Sequence, residues 1–437
     1  MKYSLRSLFA RLTLTLLVAM FVLTVVGRYV TLTGAATLCM GWPLCMPRAP
    51  LGWLQLAHQL LVGIAMFLTM WVLCKAWREQ RESRIILPLT TVTAVLVFGQ
   101  AFVGALRMIK PQTHISVLHL LTAISLWIAL VMLTFTAGVL VKEDNKPEVL
   151  NTRQRFKDFF ALSKPLIVVL LLITTYGGLV IGSKAWPSPE LTMWTLLGGA
   201  LAAGGSSALN QFIDRELDRN MQRTAKRPLA DGRLTAAEGL SFGLALCLIS
   251  YYVMAGMVNL LTALLSLAGI FYYVFFYSIC LKKATVQNIV IGGGAGAIPP
   301  MVGWAAAANN LDLTAWILFA IVFMWTPPHF WALAIVRMKD YEKAGVPMMP
   351  VMRGEEETRK QILIYTIGLI VVTVLLPLFK LAGTMYLVSS IVLGGFLLYA
   401  AWRVFKIGGN KPAWMMYKWS SMYLMFIFLA IMIDSVV

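Results

Sequence analysis

Apolar residues fill this chain in long runs that polar residues rarely interrupt. About thirteen of these runs approach the roughly 20 residues that a helix needs to cross a bilayer. They lie near 12–26, 53–74, 86–106, 116–139, 166–181, 193–209, 237–257, 260–279, 286–307, 314–335, 362–378, 385–402 and 414–432. The pattern predicts an all-α polytopic membrane protein with about thirteen transmembrane helices.

One long polar stretch interrupts the apolar runs, KEDNKPEVLNTRQRFKDFFALSK at 142–164, with four runs before it and nine after it. We predict a four-helix bundle at 1–141, a cytoplasmic linker at 142–163 and a nine-helix bundle at 164–437. The second half of the polar stretch predicts a short amphipathic surface helix. Its apolar side chains for the membrane interface are Phe156, Phe159, Phe160 and Leu162.

The composition excludes a soluble or disordered chain. Hydrophobic residues make up 59% of it and charged residues 13%, whereas soluble proteins are about half apolar and a quarter charged. The apolar run near the N-terminus lacks a good cleavage site around Gly27-Arg28-Tyr29, which favours a retained membrane anchor over a signal peptide.

The formal net charge of +18 would suggest nucleic acid in a soluble protein, but in a membrane protein the placement of the cations decides its meaning. If the N-terminus is cytoplasmic and the runs alternate, 31 of the 37 Lys and Arg residues fall on the cytoplasmic side. The charge therefore predicts a topology in the inner cell membrane, with a cytoplasmic N-terminus and an external C-terminus. It does not predict a nucleic-acid partner.

Three oxygen-bearing side chains follow the sixth apolar run at intervals of four residues: Asn210, Asp214 and Asp218. Each step of four drifts by only about 40° around a helix, so all three share one face over two turns. Carboxylates at a membrane surface suit Mg²⁺, which completes its shell with water and substrate phosphates. Three cations that could hold a diphosphate follow directly: Arg223, Lys226 and Arg227.

A second polar segment, after the tenth run, combines Asp340 with Lys339 and Lys343. The topology places it on the same side of the membrane as Asp214. A solvated charged helix end with ion pairs explains the first segment equally well if it is taken alone. Two such segments facing one compartment favour a cytoplasmic diphosphate site.

The stretches NQFIDRELDRNMQRTAKRPL (Asn210–Leu229) and DYEKAGVPMMP (Asp340–Pro350) resemble the polyprenyl-transferring membrane enzymes. Within them the chain is most similar to the protoheme IX farnesyltransferases, or heme O synthases, from about Phe159 to the C-terminus. GGGAGAIPPMVGW (292–304) and WTPPHFW (Trp325–Trp331) belong to the same resemblance.

The resemblance implies that Asp214 and Asp218 bind Mg²⁺ with the help of Asn210, and that the nearby cations and Asp340 assist departure of the diphosphate of farnesyl diphosphate. The acceptor would be a vinyl group of heme b, giving heme O for terminal oxidases. Quinone-precursor prenyltransferases carry a second aspartate four residues after the first, where this chain has Ala344. A prenyltransferase for an aromatic quinone precursor and, in another class, a polytopic transporter remain the alternatives.

Three histidines in the apolar runs are candidate heme contacts. His58 and His119 lie at similar depth on the second and fourth runs, an arrangement that suits a bis-imidazole heme site inside a four-helix bundle. His329 lies in WTPPHFW, where it contacts heme or satisfies a helix break at the two prolines.

Cys39 and Cys45 flank Gly-Trp-Pro in a predicted external loop, where a disulfide or a redox pair suits their spacing. GRYVTLTGAATLCMGWPLC (27–45), His58 and His119 resemble one half of a heme A synthase. That family carries a glutamate three residues before its first histidine, where this chain has Gln55. A homodimer, or pairing with a heme A synthase, would restore the two-bundle unit that the resemblance implies.

Overall fold

The computed structural model describes residues 3–40, 43–109, 113–141, 143, 151–282, 284–343 and 345–437, and this part of the chain is nearly all helical. Part of the predicted linker, at 142 and 144–150, lies outside the described residues. The helices are α1 (Leu8–Thr33), α2 (Gly52–Glu79), α3 (Ile86–Ile109), α4 (Thr113–Leu140), α5 (Thr152–Leu162), α6 (Pro165–Ser183), α7 (Pro189–Arg219), α8 (Ala236–Met257), α9 (Leu260–Phe271), α10 (Asn288–Ala308), α11 (Leu313–Val336), α12 (Met338–Lys343), α13 (Met349–Leu378), α14 (Thr384–Ile407) and α15 (Asn410–Asp434).

Twelve helices in the described part are long and apolar enough to cross a membrane, one fewer than the sequence predicts. The chain is thus a multi-pass membrane protein. The difference is α7, which contains the predicted sixth run. This 31-residue helix ends in a charged stretch and carries glycine, serine and asparagine along its second half, so its apolar character is diluted.

The chain forms two compact units, the first comprising Met1–Phe156 and Leu234–Ile249. In this unit α1 packs on α2 and α4, and α3 packs on α2 and α4. The start of α1 is capped by the Ser7 side chain, which accepts a hydrogen bond from the Ala10 N–H, and its end is closed by Gly34 in the left-handed conformation. A two-stranded hairpin of β1 (Cys39–Met40) and β2 (Met46–Pro47) lies between α1 and α2.

The start of α8 belongs to the first unit and is held there by a buried carboxylate. Thr235 and Glu238 form a capping box, in which the Glu238 side chain accepts from the Thr235 N–H at 2.9 Å and the Thr235 hydroxyl accepts from the Glu238 N–H at 3.2 Å. Glu238 is fully buried and pairs with Arg81 at 2.9 Å and with Arg155. The two cations compensate a charge that would otherwise be costly to bury.

The second unit comprises Lys157–Arg233 and Ser250–Val437. Its centre is the contact of α10 with α6, and α10, α13 and α15 surround α11. The backbones of α6 and α10 approach closely because each helix presents a glycine to the other. A Cβ on Gly303 of α10 would overlap the Thr175 carbonyl, and a Cβ on Gly178 of α6 would overlap the Pro300 carbonyl.

The predicted surface helix is α5, and the prediction of its apolar face is wrong at one residue. Phe156 and Phe160 are 73% and 57% exposed, and Phe159 is half-buried. Leu162 is fully buried and is not available to an interface. The reason is that its carbonyl accepts hydrogen bonds from Ser207 and Gln211 of α7, which draw the end of α5 against that helix.

The tight packing of α6 and α10 generates a stability prediction. Gly303→Val should lower the thermal stability of the detergent-solubilised protein or prevent folding, because the added side chain must displace the backbone of α6. Gly296→Val is the matched control on the same helix, since a Cβ there meets nothing within 4 Å. Equal melting temperatures for the two variants would contradict this account of the packing.

Candidate active site

The three predicted ligand-bearing residues lie on the last turns of α7, inside the second unit. The helix begins with Ser188, whose side chain accepts from the Leu191 N–H, and runs without interruption to Arg219. Asn210, Asp214 and Asp218 are 4%, 2% and 3% exposed. Burial to this degree contradicts the alternative of a solvated charged helix end.

Each buried carboxylate has a cation as partner. Asp214 Oδ2 accepts from Lys282 Nζ at 2.5 Å and from Asn210 Nδ2 at 2.8 Å. Asp218 Oδ2 accepts from Arg227 Nη1 at 2.7 Å. Charge-assisted hydrogen bonds of this kind are the strong ones in proteins. Of the predicted diphosphate-binding cations, Arg227 is therefore beside the carboxylates.

The sequence interpretation missed Lys164 as a member of this site. The residue joins α5 to α6, and its ammonium donates to Asn210 Oδ1 at 3.2 Å. Burial, together with the charges of Arg227 and Lys282, lowers the pKa of Lys164 to about 7, against the opposite effect of Asp218 and Asp214. The site thus holds three basic side chains beside its two carboxylates.

Lys282 was also missed, and a change of helix type positions it. The helix that begins as α9 continues as a π-helix over Tyr272–Leu281, a form found frequently at functional sites. Within it the Ser278 hydroxyl donates to the Tyr273 carbonyl at 2.9 Å and accepts from Asn210 Nδ2 at 3.0 Å. The amide of Asn210 is therefore held on both sides, and its N–H groups face Asp214 and Ser278.

The remaining predicted cations lie at the surface. Arg223, Lys226, Lys339 and Lys343 are exposed. Asp340 is partly buried on α12, and its Oδ2 lies 3.9 Å from Arg337 Nη1. The two polar segments do approach each other at Tyr341: burial raises the pKa of its hydroxyl, while the charge of Arg223 lowers it.

The donor set of Asp214 and Asp218 fits Mg²⁺. Hard carboxylate oxygens one helical turn apart can share or flank one ion, and Mg²⁺ takes few protein ligands because it retains water and binds substrate phosphates. No cluster of three or more His, Cys, Asp or Glu side chains occurs among the described residues, so phosphate and water oxygens would have to complete the shell. Asn210 supports Asp214 as a hydrogen-bond donor, with its oxygen directed to Lys164.

His329 is enclosed by protein groups. It stacks between Trp325 and Tyr417 at ring distances of 4.3 and 4.5 Å, and its Nδ1 lies 2.8 Å from Ser420 Oγ on α15. Its hydrogen bond thus goes to a neighbouring helix and not to a carbonyl freed by Pro327 and Pro328. The residue organises an aromatic cluster in the core of the second unit.

In the first unit, His58 on α2 and His119 on α4 are close enough to interact electrostatically. Each imidazole packs against a glycine, which leaves room for the ring: His58 packs on Gly27 of α1, and His119 packs on Gly104 of α3. The Nδ1 atom of each imidazole is buried without a hydrogen-bond partner, and His119 Nε2 lies 3.1 Å from Gln100 Nε2. The structure therefore brings the two predicted heme ligands together.

The segment between α1 and α2 in the same unit has the predicted bond: Cys39 and Cys45 form a disulfide across the β1–β2 hairpin. The Cys45 N–H donates to Gln59 Oε1 at 2.9 Å. Gln55, at the position where the predicted resemblance would require a glutamate, is 4% exposed, and its amide nitrogen lies 3.7 Å from the Met108 sulfur.

Comparison with known proteins shows which family has this architecture. Residues 171–427 match the UbiA prenyltransferase family. The chain belongs to the UbiA prenyltransferase family. Within that family it is similar to a protein from Roseiflexus sp. (strain RS-1) named protoheme IX farnesyltransferase, at 38% identity over 96% of this chain and 82% of that protein. A protein of the same name from Gloeobacter violaceus is 48% identical over 64% of this chain and 92% of its own length.

A solved structure of digeranylgeranylglyceryl phosphate synthase has a similar fold, with a TM-score of 0.56 at 16% identity, over 65% of this chain and 99% of that one. The relatives confirm the resemblance drawn from Asn210–Leu229 and Asp340–Pro350, and the chain is a prenyltransferase. The resemblance of its N-terminal part to heme A synthase stays a prediction.

The ion pair of Asp214 and Lys282 gives a test of this UbiA-type site. Lys282→Met should lower the free energy of unfolding by about 3 kcal/mol, because it leaves a buried carboxylate unpaired. Adding Asp214→Asn should restore most of that loss, which SDS titration in mixed micelles can measure. A double variant whose loss equals the sum of the two single losses would show that the pair does not couple.

Proposed function

We propose that this UbiA enzyme transfers the farnesyl group of farnesyl diphosphate to a vinyl group of heme b, giving heme O for terminal oxidase assembly. The observation that carries the proposal is the pair of buried carboxylates, Asp214 and Asp218, with Lys282, Arg227 and Lys164 around them. It is supported by the relatives named protoheme IX farnesyltransferase, which extend over 96% of the chain.

The cations suit the first chemical step, which is cleavage of the allylic carbon–oxygen bond. Pyrophosphate leaves with the electron pair, and its growing negative charge is stabilised by the groups that already lie in place, Arg227 and Lys282. Mg²⁺ held by Asp214 and Asp218 would supply further charge neutralisation at the leaving oxygens. Asn210 keeps Asp214 oriented by donating to its Oδ2.

The aromatic residues beside this site suit the allylic cation that would remain after pyrophosphate leaves. Tyr273 and Tyr277 are stacked with their rings 5.6 Å apart, and both are close enough to Asp214 to interact with it electrostatically. Ring faces attract positive charge, so they would stabilise an allylic cation while excluding water. The heme vinyl carbon then forms the new bond, and water adds to the cation left on heme and releases a proton, giving the hydroxyethylfarnesyl group.

We place the enzyme in the inner cell membrane, with its N-terminus and the Asp214 site on the cytoplasmic side and its C-terminus outside. The support is the distribution of cations, 31 of 37 on one side when all thirteen predicted runs, including the one in α7, cross the membrane. A contact of His329 with heme belongs to the same proposal and stays a prediction, because the ring packs against Trp325 and Tyr417 and its Nδ1 lies 2.8 Å from Ser420 Oγ.

We also propose that the first unit binds heme between His58 and His119. The proposal is supported by the proximity of the two histidines, by their buried Nδ1 atoms and by the glycines against which the two rings pack. Binding does not require Gln55 to act as a carboxylate would, so the proposal is for a heme-binding unit and not for a heme O oxidase. A homodimer, or pairing with a heme A synthase, remains a hypothesis that the mass of the complex in detergent tests.

The proposed reaction has a direct assay, which is mass analysis after incubating the purified chain with heme b, farnesyl diphosphate and Mg²⁺. We expect heme O from the native chain and a loss of about 100-fold or more in turnover for Asp214→Asn, because the leaving group loses its metal-binding charge. Glu216→Gln, on the same helix but with its side chain 62% exposed, is the matched control. Activity on a phenolic acid with no heme O formed would establish the quinone-precursor alternative instead.

The heme proposal for the first unit predicts that heme binding by this unit can be lost while farnesyl transfer is retained. His58→Ala or His119→Ala should abolish the bis-imidazole absorption and EPR signature of the purified protein while farnesyl transfer to added heme b continues, because the carboxylate site lies in the second unit. A heme spectrum that persists in the double variant would contradict ligation by these two residues.

A further inference from the structure

A groove of about 490 Å³ lies between α13 and α14 in the second unit. Its lining residues are apolar or aromatic and follow one face of each helix, because they are spaced by three or four residues. They are Leu363 and Ile367 of α13 and Gly395, Leu398, Tyr399 and Trp402 of α14. The groove opens to the outside of the protein, since Tyr399 and Trp402 are 55% and 48% exposed.

The dimensions of the groove suit an extended hydrocarbon chain. From Gly395 to Trp402 the helix advances by about 10 Å, which is most of the roughly 15 Å of hydrocarbon in one leaflet of a bilayer. Space for a chain exists partly because Gly395 has no side chain, and a Cβ there would meet nothing within 4 Å. The polar side-chain atoms of the lining are confined to Tyr399 and Trp402, so the groove offers little to a compact polar ligand.

One end of the groove carries the features of a headgroup region. Tyr399 and Trp402 lie near the C-terminal end of α14, which ends at Ile407, and such residues are enriched where a bilayer meets water. Lys406 follows Trp402 by one turn, and its Nζ lies 5.1 Å from the centre of the Trp402 ring. This cation–π contact places a positive charge at the mouth of the groove.

The cations at this end of α14 have no acidic residue beside them in the sequence. Residues 384–411 contain Arg403, Lys406 and Lys411 but neither aspartate nor glutamate. Lys406 is exposed and forms no ion pair in the described part of the chain. Its ammonium is therefore available to an anion from outside the protein.

The acidic residues that approach this end come from the start of α13, and each has a partner within the unit. Glu355 Oε1 accepts from the Gly409 N–H at 2.6 Å, which joins the start of α13 to the segment after α14. The other two pairs are Glu356 with Lys360 at 2.9 Å and Glu357 with Gln361 at 2.8 Å. The local charge balance thus favours an anionic ligand beside Lys406.

We propose that the groove is a binding site for an anionic glycerophospholipid, with one acyl chain between α13 and α14 and the headgroup phosphate at Lys406. A zwitterionic lipid could place a chain in the same groove, but its headgroup has no net charge to balance the ammonium. The site therefore selects by headgroup, and none of its residues belongs to the carboxylate site of α7. In the topology proposed above, this end of α14 faces the cytoplasm, so the lipid comes from the inner leaflet.

The test is photolabelling of the full-length chain in phosphatidylcholine vesicles that contain a trace of phosphatidylglycerol with a diazirine on one acyl chain. Mass mapping should find the label in the peptides that contain Leu363–Ile367 and Gly395–Trp402. Unlabelled phosphatidylglycerol should displace it about fivefold more efficiently than added phosphatidylcholine, as expected for one lysine at the surface of the membrane. Equal displacement by the two lipids would show a non-selective lipid contact and overturn the proposal.

Substitution of Lys406 tests the headgroup contact. Lys406→Met should remove the fivefold preference for phosphatidylglycerol, and Lys406→Arg should keep it. Lys380→Met is the matched control, because Lys380 is exposed between the same two helices at their other end, and it should keep the preference. A preference of native size in Lys406→Met would overturn the assignment of the headgroup.

Substitution of Gly395 tests the chain contact separately. Gly395→Leu fills the groove and should abolish the label in both peptides, whereas Gly63→Leu on α2 should not, although a Cβ at Gly63 also meets nothing within 4 Å. Undiminished label in Gly395→Leu would place the lipid outside the groove and overturn the proposal. Displacement by farnesyl diphosphate at a lower concentration than by phosphatidylglycerol would assign the groove to the prenyl chain and overturn it as well.

Discussion

Charge compensation of two buried carboxylates organises the end of the second unit that holds the candidate active site. Asp214 and Asp218 are almost inaccessible to solvent on α7, and an ionised carboxylate without a partner costs several kcal/mol to bury. The partners come from separate parts of the unit: Lys282 from the π-helical end of the α9 helix and Arg227 from the segment after α7. Helices that are otherwise held by apolar packing must therefore converge at this point.

The same constraint explains why α7 is the least membrane-like of the long helices. A prenyltransferase needs a polar surface where an allylic diphosphate can ionise, so the helix carries small and polar residues beside its acidic face, and these lower its hydropathy. Close packing occurs elsewhere in the unit, at the glycine-mediated contact of α6 with α10 and in the aromatic cluster around His329.

The features that depend on the spacing of neighbouring residues could be predicted from the sequence. Asn210, Asp214 and Asp218 share a face because the α-helix has a constant period, and Cys39 lies only six residues from Cys45. Lys164 and Lys282 were missed because they reach their partners over 46 and 68 residues, and a π-helix changes the period that a pattern assumes. Leu162 was misplaced because its carbonyl accepts hydrogen bonds from the side chains of Ser207 and Gln211, which a hydrophobic pattern does not reveal and which draw it inward.

The central claim is that the Asp214–Asp218 pair and its cations form the diphosphate site. A structure determined with Mn²⁺ and a non-reactive farnesyl thiodiphosphate tests it most directly. The account predicts metal density at Asp214 and Asp218, with diphosphate oxygens contacting Arg227 and Lys282. Density for the diphosphate at the exposed lysines of α12, with the pairs of Asp214 with Lys282 and Asp218 with Arg227 intact and no metal between the carboxylates, would contradict it.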